Sequence, residues 1–120
     1  MRWEEVKSVL SMLDNPVDRL EMLMDFGRNL EPVPDDATCN EIVGCASFVQ
    51  ICRRGNQFFG VADSGLVRGI VAIILAMVNG KTVAQIKQMD LAGEFASLNL
   101  NLGAGRLNGV NSMIRFFQNL

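Results

Sequence analysis

The stretch SFVQICRRGNQFFGVA, residues 47–62, determines the fold class of this chain. Its two halves, Ser47–Cys52 and Gln57–Ala62, are rich in β-branched, aromatic and other apolar residues, which is typical of β-strands. The Arg54-Gly55-Asn56 segment between them is a hairpin turn signal. Upstream, Gly44-Cys45-Ala46 separates this hairpin from a further β-branched run, Glu41-Ile42-Val43. The pattern therefore predicts a small three-stranded antiparallel sheet.

Helical patterns flank this β region on both sides. Apolar residues recur at helical spacing along residues 3–13, and Asn15-Pro16 is typical of a helix cap followed by proline at the first helical position. The predicted helices run over about 3–13, 16–29, 64–78, 82–88, 91–97 and from near 105 to the end. The sequence thus predicts one α+β domain over residues 1–120, with the helices packed on one face of the sheet.

Composition and charge exclude several classes of function. The 120 residues are 49% apolar and 20% charged, as expected for one folded domain. The net charge of −2 and the absence of a basic cluster argue against binding to nucleic acid or to an anionic membrane surface. The longest apolar run, Leu66–Val78, is too short to span a bilayer. The charged N-terminal residues 1–5 lack an apolar signal-peptide core, so a cytoplasmic protein is expected.

The chain contains no histidine and no tyrosine. Catalysis by a Cys–His or Ser–His pair within this chain is therefore excluded, and so is a metal site with histidine ligands. Its three cysteines are an odd number, and a domain of this size needs no disulfide for stability. We expect reduced thiols, with Cys39 exposed in a loop and Cys52 in a strand.

Cys45 is the candidate for chemistry. It interrupts two apolar runs and lies between Gly44 and Ala46, whose small side chains would let another protein approach closely. This arrangement would present a thiol at the tip of a loop. The alternative is that Cys45 is an inert small apolar residue in a turn, as many free cysteines are.

Several segments resemble a known family. Residues 44–49, Gly-Cys-Ala-Ser-Phe-Val, are similar to the cysteine motif of the SufE-like family, usually Gly-Cys-Gln-Ser-Gln-Val-Trp. Further resemblances follow in the same order as in that family, at residues 18–30, 63–72, 79–86 and 106–113. None of these segments is specific alone, but together and in order they identify the chain as similar to SufE-like proteins.

The resemblance implies both a fold and an activity. SufE-like proteins have an α+β fold similar to that of iron–sulfur scaffold proteins. They bind a pyridoxal-phosphate cysteine desulfurase, accept sulfane sulfur from its active cysteine and pass it to an iron–sulfur assembly scaffold. Cys45 matches the sulfur-accepting position. The chain is thus expected to be an accessory sulfur carrier without a cofactor of its own, rather than a self-sufficient enzyme.

The candidate binding residues surround this cysteine in the sequence or are implied by the resemblance. They are Gly44, Ala46, Ser47, Arg68 and Arg106. Arg106 lies in the first turn of a predicted helix, where a cation opposes the helix dipole, so its position calls for another reason. The resemblance supplies one, because it implies that Arg106 lies near the cysteine loop, where its charge would favour the thiolate. The alternative is an arginine that is merely exposed. Arg68 lies in an almost wholly apolar helix. A structural ion pair with a loop carboxylate is its alternative role, since a buried arginine needs a partner.

Two other classes of function stay open on the sequence alone. Cys39, Cys45 and Cys52, with Asp63 as a fourth ligand, could form a zinc or iron–sulfur scaffold, although their spacing matches no compact metal motif. The chain could also be an interaction module without sulfur transfer, because Ala46, Phe48 and Gln50 replace the usual residues of the cysteine motif. These replacements bear on the choice of partner.

Overall fold

Two helices precede a three-stranded sheet, and four helices follow it, in the computed structural model, which describes residues 1–120. The helices are α1 (Trp3–Ser11), α2 (Pro16–Gly27), α3 (Gly65–Val78), α4 (Val83–Gln88), α5 (Leu91–Ala96) and α6 (Ala104–Gln118). The strands are β1 (Thr38–Glu41), β2 (Val49–Arg54) and β3 (Gln57–Ala62). The predicted α+β class and the antiparallel sheet are confirmed.

The sheet is a meander in the order β1-β2-β3, with both pairs antiparallel. In its register, Cys52 of β2 lies opposite Cys39 on one side and Phe59 on the other. The β2–β3 hairpin turns at Gly55, whose φ of 62° suits a tight turn. Strand β1 is therefore an edge strand, and the chain leaves it directly toward Cys45.

Helix α3 forms the centre of the core. All residues from Gly69 to Val78 except Ala76 are buried, and the helix packs on α2 and β3. Helices α2 and α3 approach closely where Gly27 meets Gly69. A Cβ atom on Gly69 would lie 2.0 Å from the carbonyl oxygen of Leu23, so only glycine permits this crossing. The helix propensity lost at these glycines is offset by the contact they allow.

Helix α6 is held against the same core. Its buried face includes Val110, Met113, Ile114 and Phe117, at helical spacing. The Phe117 ring packs edge-to-face on Phe58 of β3, with 5.0 Å between the ring centroids. This packing fixes the inner face of α6, and its first turns extend from there toward the loop between β1 and β2.

The first strand differs from its prediction. It was expected at residues 41–43, whereas β1 covers Thr38–Glu41. All four of its side chains are exposed, so no alternation of apolar and polar residues marks it in the sequence. Strand β1 forms because its backbone pairs with β2, an interaction that leaves no hydrophobic pattern.

The expectation of reduced thiols is wrong for two of the three cysteines. Cys39 lies in β1 rather than in a loop, directly opposite Cys52, and the two form a disulfide with their Cα atoms 3.9 Å apart. A sequence separation of 13 residues gives no hint of this contact, because only the strand register creates it. Cys45 is the one free cysteine.

The helix boundaries shift slightly from the predicted ones. Helix α2 ends at Gly27 rather than near Asn29, and α5 ends at Ala96. Met24 of α2 is 41% exposed. None of the helices has the length and apolar character needed to cross a membrane.

Candidate functional site around Cys45

Cys45 lies in the loop formed by residues 42–48, which connects β1 to β2. Both ends of this loop are fixed. Ile42 and Val49 are buried, and the Ile42 backbone N–H donates a hydrogen bond to the Val49 carbonyl oxygen at 2.9 Å. Between these anchors, Val43 is 86% exposed and Phe48 is 41% exposed. The thiol therefore lies in the middle of a short loop that carries exposed apolar side chains on either side.

Gly44 shapes the loop immediately before the thiol. Its φ of +95° lies in the left-handed region, where residues with a Cβ atom are strained. A Cβ atom there would also lie 2.6 Å from the Ser112 Oγ of α6. Gly44 thus has a conformational and a steric reason to be glycine, and both set the direction in which the chain enters Cys45.

The Cys45 thiol is turned partly inward. Its side chain is half-buried and packs against the hydrophobic core. The Sγ donates a long hydrogen bond to the carbonyl oxygen of Gly109 in α6, at 3.8 Å. Burial raises the pKa of the Cys45 thiol above its ordinary value. Desolvation of the half-buried sulfur thus favours the protonated thiol over the thiolate.

A cavity of about 450 Å³ lies beneath the loop, between α3 and α6. The loop contributes Cys45, Ala46 and Ser47 to its lining. The rest of the lining comes from Ser64, Val67 and Ile70 at the start of α3, and from Leu102, Gly103, Gly105, Arg106, Gly109 and Met113 in and before α6. The cavity has a mixed polar and apolar wall, with the thiol at one side.

Arg106 lies in this cavity together with Cys45. It occupies the first turn of α6 and is exposed, and its Nη1 donates to the Leu102 carbonyl oxygen at 3.3 Å. It forms no ion pair with a carboxylate. Its guanidinium is the one cationic group in the lining of this cavity, so it is available to an anionic group that enters there.

Arg68 lies elsewhere. It lines a separate cavity of about 480 Å³ formed by α2, the segment after α2 and β3. The alternative of a buried ion pair is wrong, because Arg68 is exposed and has no carboxylate within salt-bridge distance. The sequence suggested burial because its neighbours are apolar, but the side chain projects from the rim of α3. The structure does not bring Arg68 together with Cys45.

The donor set of the alternative metal scaffold is not assembled. No three histidine, cysteine, aspartate or glutamate residues of the chain come close enough together to hold a metal ion. Cys39 and Cys52 are bonded to each other, and Cys45 lies beyond them in the loop. The arrangement separates the three sulfur atoms into one disulfide and one free thiol.

Two residues of the site were not selected from the sequence. Gly109 accepts the hydrogen bond from Cys45, and Ser112 lies against Gly44. The Ser112 Oγ also accepts a hydrogen bond from the Arg115 Nη2 at 3.2 Å. Arg106, Gly109 and Met113 are spaced at three and four residues along α6. That helical spacing would have identified one face of α6 as the partner of the loop.

Comparison with known proteins agrees with the earlier resemblance. The sequence profile described as "SufE: Fe-S metabolism associated domain" matches residues 4–120. An uncharacterised SufE-like protein of Rhizobium meliloti is 32% identical over 93% of this chain and 89% of its own length. The sulfur acceptor protein CsdE of Escherichia coli is 30% identical over 92% of this chain and 81% of its own length.

The fold is also shared with a solved structure. The solution structure of a hypothetical protein from Thermus thermophilus superposes with a TM-score of 0.74 at 14% sequence identity. It covers 98% of this chain and 90% of that protein, so the likeness extends over the whole fold. With the profile match over nearly its full length and relatives at 30% identity or above, the chain belongs to the SufE family.

Proposed function

We propose that this protein is a sulfur acceptor that takes persulfide sulfur from a cysteine desulfurase onto Cys45 and passes it on for iron–sulfur cluster assembly. One observation carries the proposal: in a chain of the SufE family, Cys45 is the free cysteine and lies in a loop above a cavity. The similarity to the Escherichia coli sulfur acceptor supports the same role.

The transfer step is a thiol exchange. The Cys45 thiolate attacks the outer sulfur of the persulfide on the partner's cysteine. The bond between the two sulfur atoms of that persulfide breaks, and the partner's cysteine leaves as a thiolate and takes up a proton. Cys45 then carries the persulfide. No net oxidation or reduction takes place, because one sulfur atom moves between two thiols.

The resting geometry determines what the partner has to supply. The half-buried thiol donates to the Gly109 carbonyl oxygen, and burial raises its pKa. Before attack, the loop must move Cys45 away from this carbonyl, and a base must accept its proton. The chain has no histidine and no tyrosine, and no carboxylate or lysine lines the cavity with Cys45, so the base is water or a group of the desulfurase. We therefore assign an accessory role rather than a complete active site.

The loop itself offers a surface for the partner. Val43 and Phe48 expose apolar side chains on either side of Cys45, and a desulfurase that docks on the loop would bury them. Ala46 and Ser47 are small enough to let a partner backbone come close, while Arg106 lies in the adjoining cavity. A desulfurase and, later, an iron–sulfur scaffold would each contact this same loop.

Location in the cytoplasm is part of the proposal. A sulfur carrier needs Cys45 as a free thiol, and a reducing compartment maintains free thiols. In such a compartment a disulfide like that between Cys39 and Cys52 is usually transient or regulatory rather than a permanent staple.

The decisive experiment measures the intact mass of the protein after incubation with a cysteine desulfurase and cysteine. The protein should gain the mass of one sulfur atom, and Cys45→Ser should abolish this gain. A Cys39→Ser/Cys52→Ser double variant is the matched control and should still gain it. A gain that persists in Cys45→Ser would overturn the assignment. Desulfurase binding without any gain would indicate an interaction module instead.

A further inference from the structure

The Cys39–Cys52 disulfide is chemically asymmetric. Cys39 is exposed on the edge strand, whereas Cys52 is fully buried at 0% exposure. The two residues are direct partners in the β1–β2 register. Neither lines the cavity beneath Cys45, so this pair is a separate sulfur site. An attacking thiol can reach the pair only from the Cys39 side.

Strand β1 has few other attachments. All four of its side chains are exposed, and its main packing partner is β2. Near its start, Asp36 forms an exposed ion pair with Arg54 at 3.3 Å, a type of contact that contributes little. Its first buried neighbour along the chain is Ile42. The disulfide is thus a covalent tie on a strand that otherwise depends on backbone hydrogen bonds.

We propose that Cys39 and Cys52 form a second redox site, a disulfide–dithiol switch whose state controls the mobility of the Cys45 loop. Its co-substrate is a protein or small-molecule dithiol that reduces exposed disulfides. The biological consequence, control of sulfur acceptance, rests on the proposed function of Cys45. The redox site itself does not rest on that function.

Reduction proceeds in two exchanges. A thiolate of the dithiol attacks the Cys39 sulfur, forms a mixed disulfide with it and releases Cys52 as a thiolate, which takes up a proton. The second thiol of the reductant then attacks the reductant's first sulfur, which is bonded to Cys39, and releases Cys39 as a thiolate that takes up a proton. The protein gains two electrons and two protons, and the reductant becomes a disulfide. The thiolate released at Cys52 is fully buried, and a buried charge is costly. Its release therefore favours opening of the β1 edge.

The switch is coupled to Cys45 through the chain. Strand β1 ends at Glu41, and the loop that carries Cys45 begins at the next residue, Ile42. With the disulfide closed, Cys39, three residues before the loop, is covalently tied to β2. With it open, β1 is held only by its backbone pairing and by the buried Ile42 that follows it, and it frays more often, as weakly anchored edge segments do. The Cys45 thiol then leaves the Gly109 carbonyl oxygen more often.

The first measurement tests whether the redox site exists. The protein is denatured and alkylated after equilibration in glutathione buffers of decreasing potential, and its modified cysteines are identified by peptide mass. One alkylated cysteine, Cys45, is expected at the oxidising end, and three are expected at the reducing end. Three free thiols at every potential would overturn the switch.

The second measurement tests the coupling. The rate at which Cys45 reacts with a small aromatic disulfide is compared between the oxidised protein and a Cys39→Ser/Cys52→Ala variant. In both proteins only Cys45 has a free thiol. The rate should be about fivefold higher in the variant, because local opening exposes the thiol. Equal rates would overturn the coupling.

Hydrogen exchange of residues 38–48 in the unmodified protein, oxidised against reduced, gives the same answer without a substitution, in case the variant fails to fold. Faster exchange on reduction supports the coupling, and unchanged exchange overturns it. None of these measurements involves a desulfurase. If the switch operates but neither redox form gains sulfur from a desulfurase, the proposed function fails and the redox site stands.

Discussion

The Cys45 Sγ lies 3.8 Å from the carbonyl oxygen of Gly109, and this contact joins the sulfur-bearing loop to the middle of α6. A thiol can donate to a carbonyl oxygen, whereas a thiolate cannot, so the contact belongs to the protonated form. Helix α6 is in turn fixed by Phe117 against the core. The resting position of the reactive sulfur is therefore set by a helix more than 60 residues later in the chain.

The rate of Cys45 modification should depend on pH in a characteristic way. Burial raises the pKa of this thiol, so the thiolate fraction near neutral pH is lower than that of an exposed cysteine. The rate of reaction with a small disulfide should rise with pH to a midpoint above that of an ordinary exposed cysteine. A short peptide spanning residues 42–48 is the control. A midpoint below that of the peptide would contradict the burial argument.

The same pKa predicts a change in stability. Between the ordinary pKa and the raised one, the folded state keeps a proton that the unfolded state releases. The free energy of unfolding should therefore fall as pH rises through this alkaline range. The stability contributed by the protonated Cys45 thiol should be fully present at pH values below the ordinary pKa of a thiol. Denaturant unfolding at several pH values measures the slope. Cys45→Ser should show a smaller slope, and an identical one would argue against Cys45 as its source.

Arg106→Ala should slow sulfur acceptance without a large loss of stability. The guanidinium lies in the cavity with Cys45 and makes one hydrogen bond to the backbone, so its removal leaves packing nearly intact. Loss of the one cation that lines the cavity with Cys45 should reduce the rate by about tenfold. Arg68→Ala is the matched control, since Arg68 lies in a different cavity. Equal rates for the two variants would leave Arg106 without a role at the site.

Gly44→Ala should destabilise the protein and displace the Cys45 loop. The alanine would have to adopt the left-handed φ of Gly44, and its Cβ would lie 2.6 Å from the Ser112 Oγ. Together these effects should lower the free energy of unfolding by about 2–3 kcal/mol. Gly55→Ala is the control, because its φ is also positive but nothing lies within 4 Å, and it should cost only about 1 kcal/mol.

The clash can be separated from the backbone strain by a second substitution. Ser112→Ala removes the oxygen atom that the new Cβ would meet. In this background Gly44→Ala should therefore cost less than it does alone. Additive effects of the two substitutions in denaturant unfolding would show that the Ser112 contact is unimportant.

Gly69→Ala should be among the most damaging substitutions in the protein. Its Cβ would lie 2.0 Å from the Leu23 carbonyl oxygen, so α2 and α3 would have to separate, at about 3 kcal/mol or more. Gly65→Ala in the first turn of the same helix meets only the Met24 Cε at 3.5 Å. That substitution should be neutral or stabilise the protein by about 0.5–1 kcal/mol. Thermal or denaturant unfolding compares the two, and similar losses would contradict the close crossing.

Much of the fold was predictable because local patterns specify it. The apolar residues on both sides of the Gly55 turn predict the β2–β3 hairpin, and the apolar run to Val78 predicts α3. Cys45 was recognisable from its small neighbours and from the resemblance of residues 44–49 to a family motif. In each case the deciding residues are adjacent or one helical turn apart, so their chemistry can be read along the chain.

The sequence by itself thus determined the α+β class, the hairpin, the central helix and the candidate cysteine. The tertiary structure decided the Cys39–Cys52 disulfide, the exposure of Arg68 and the contact of Cys45 with Gly109. These three features depend on strand register, on the rim of a packed helix and on helix placement across the domain. Such contacts form between residues far apart in the chain, and they exist only after the core has brought the elements together.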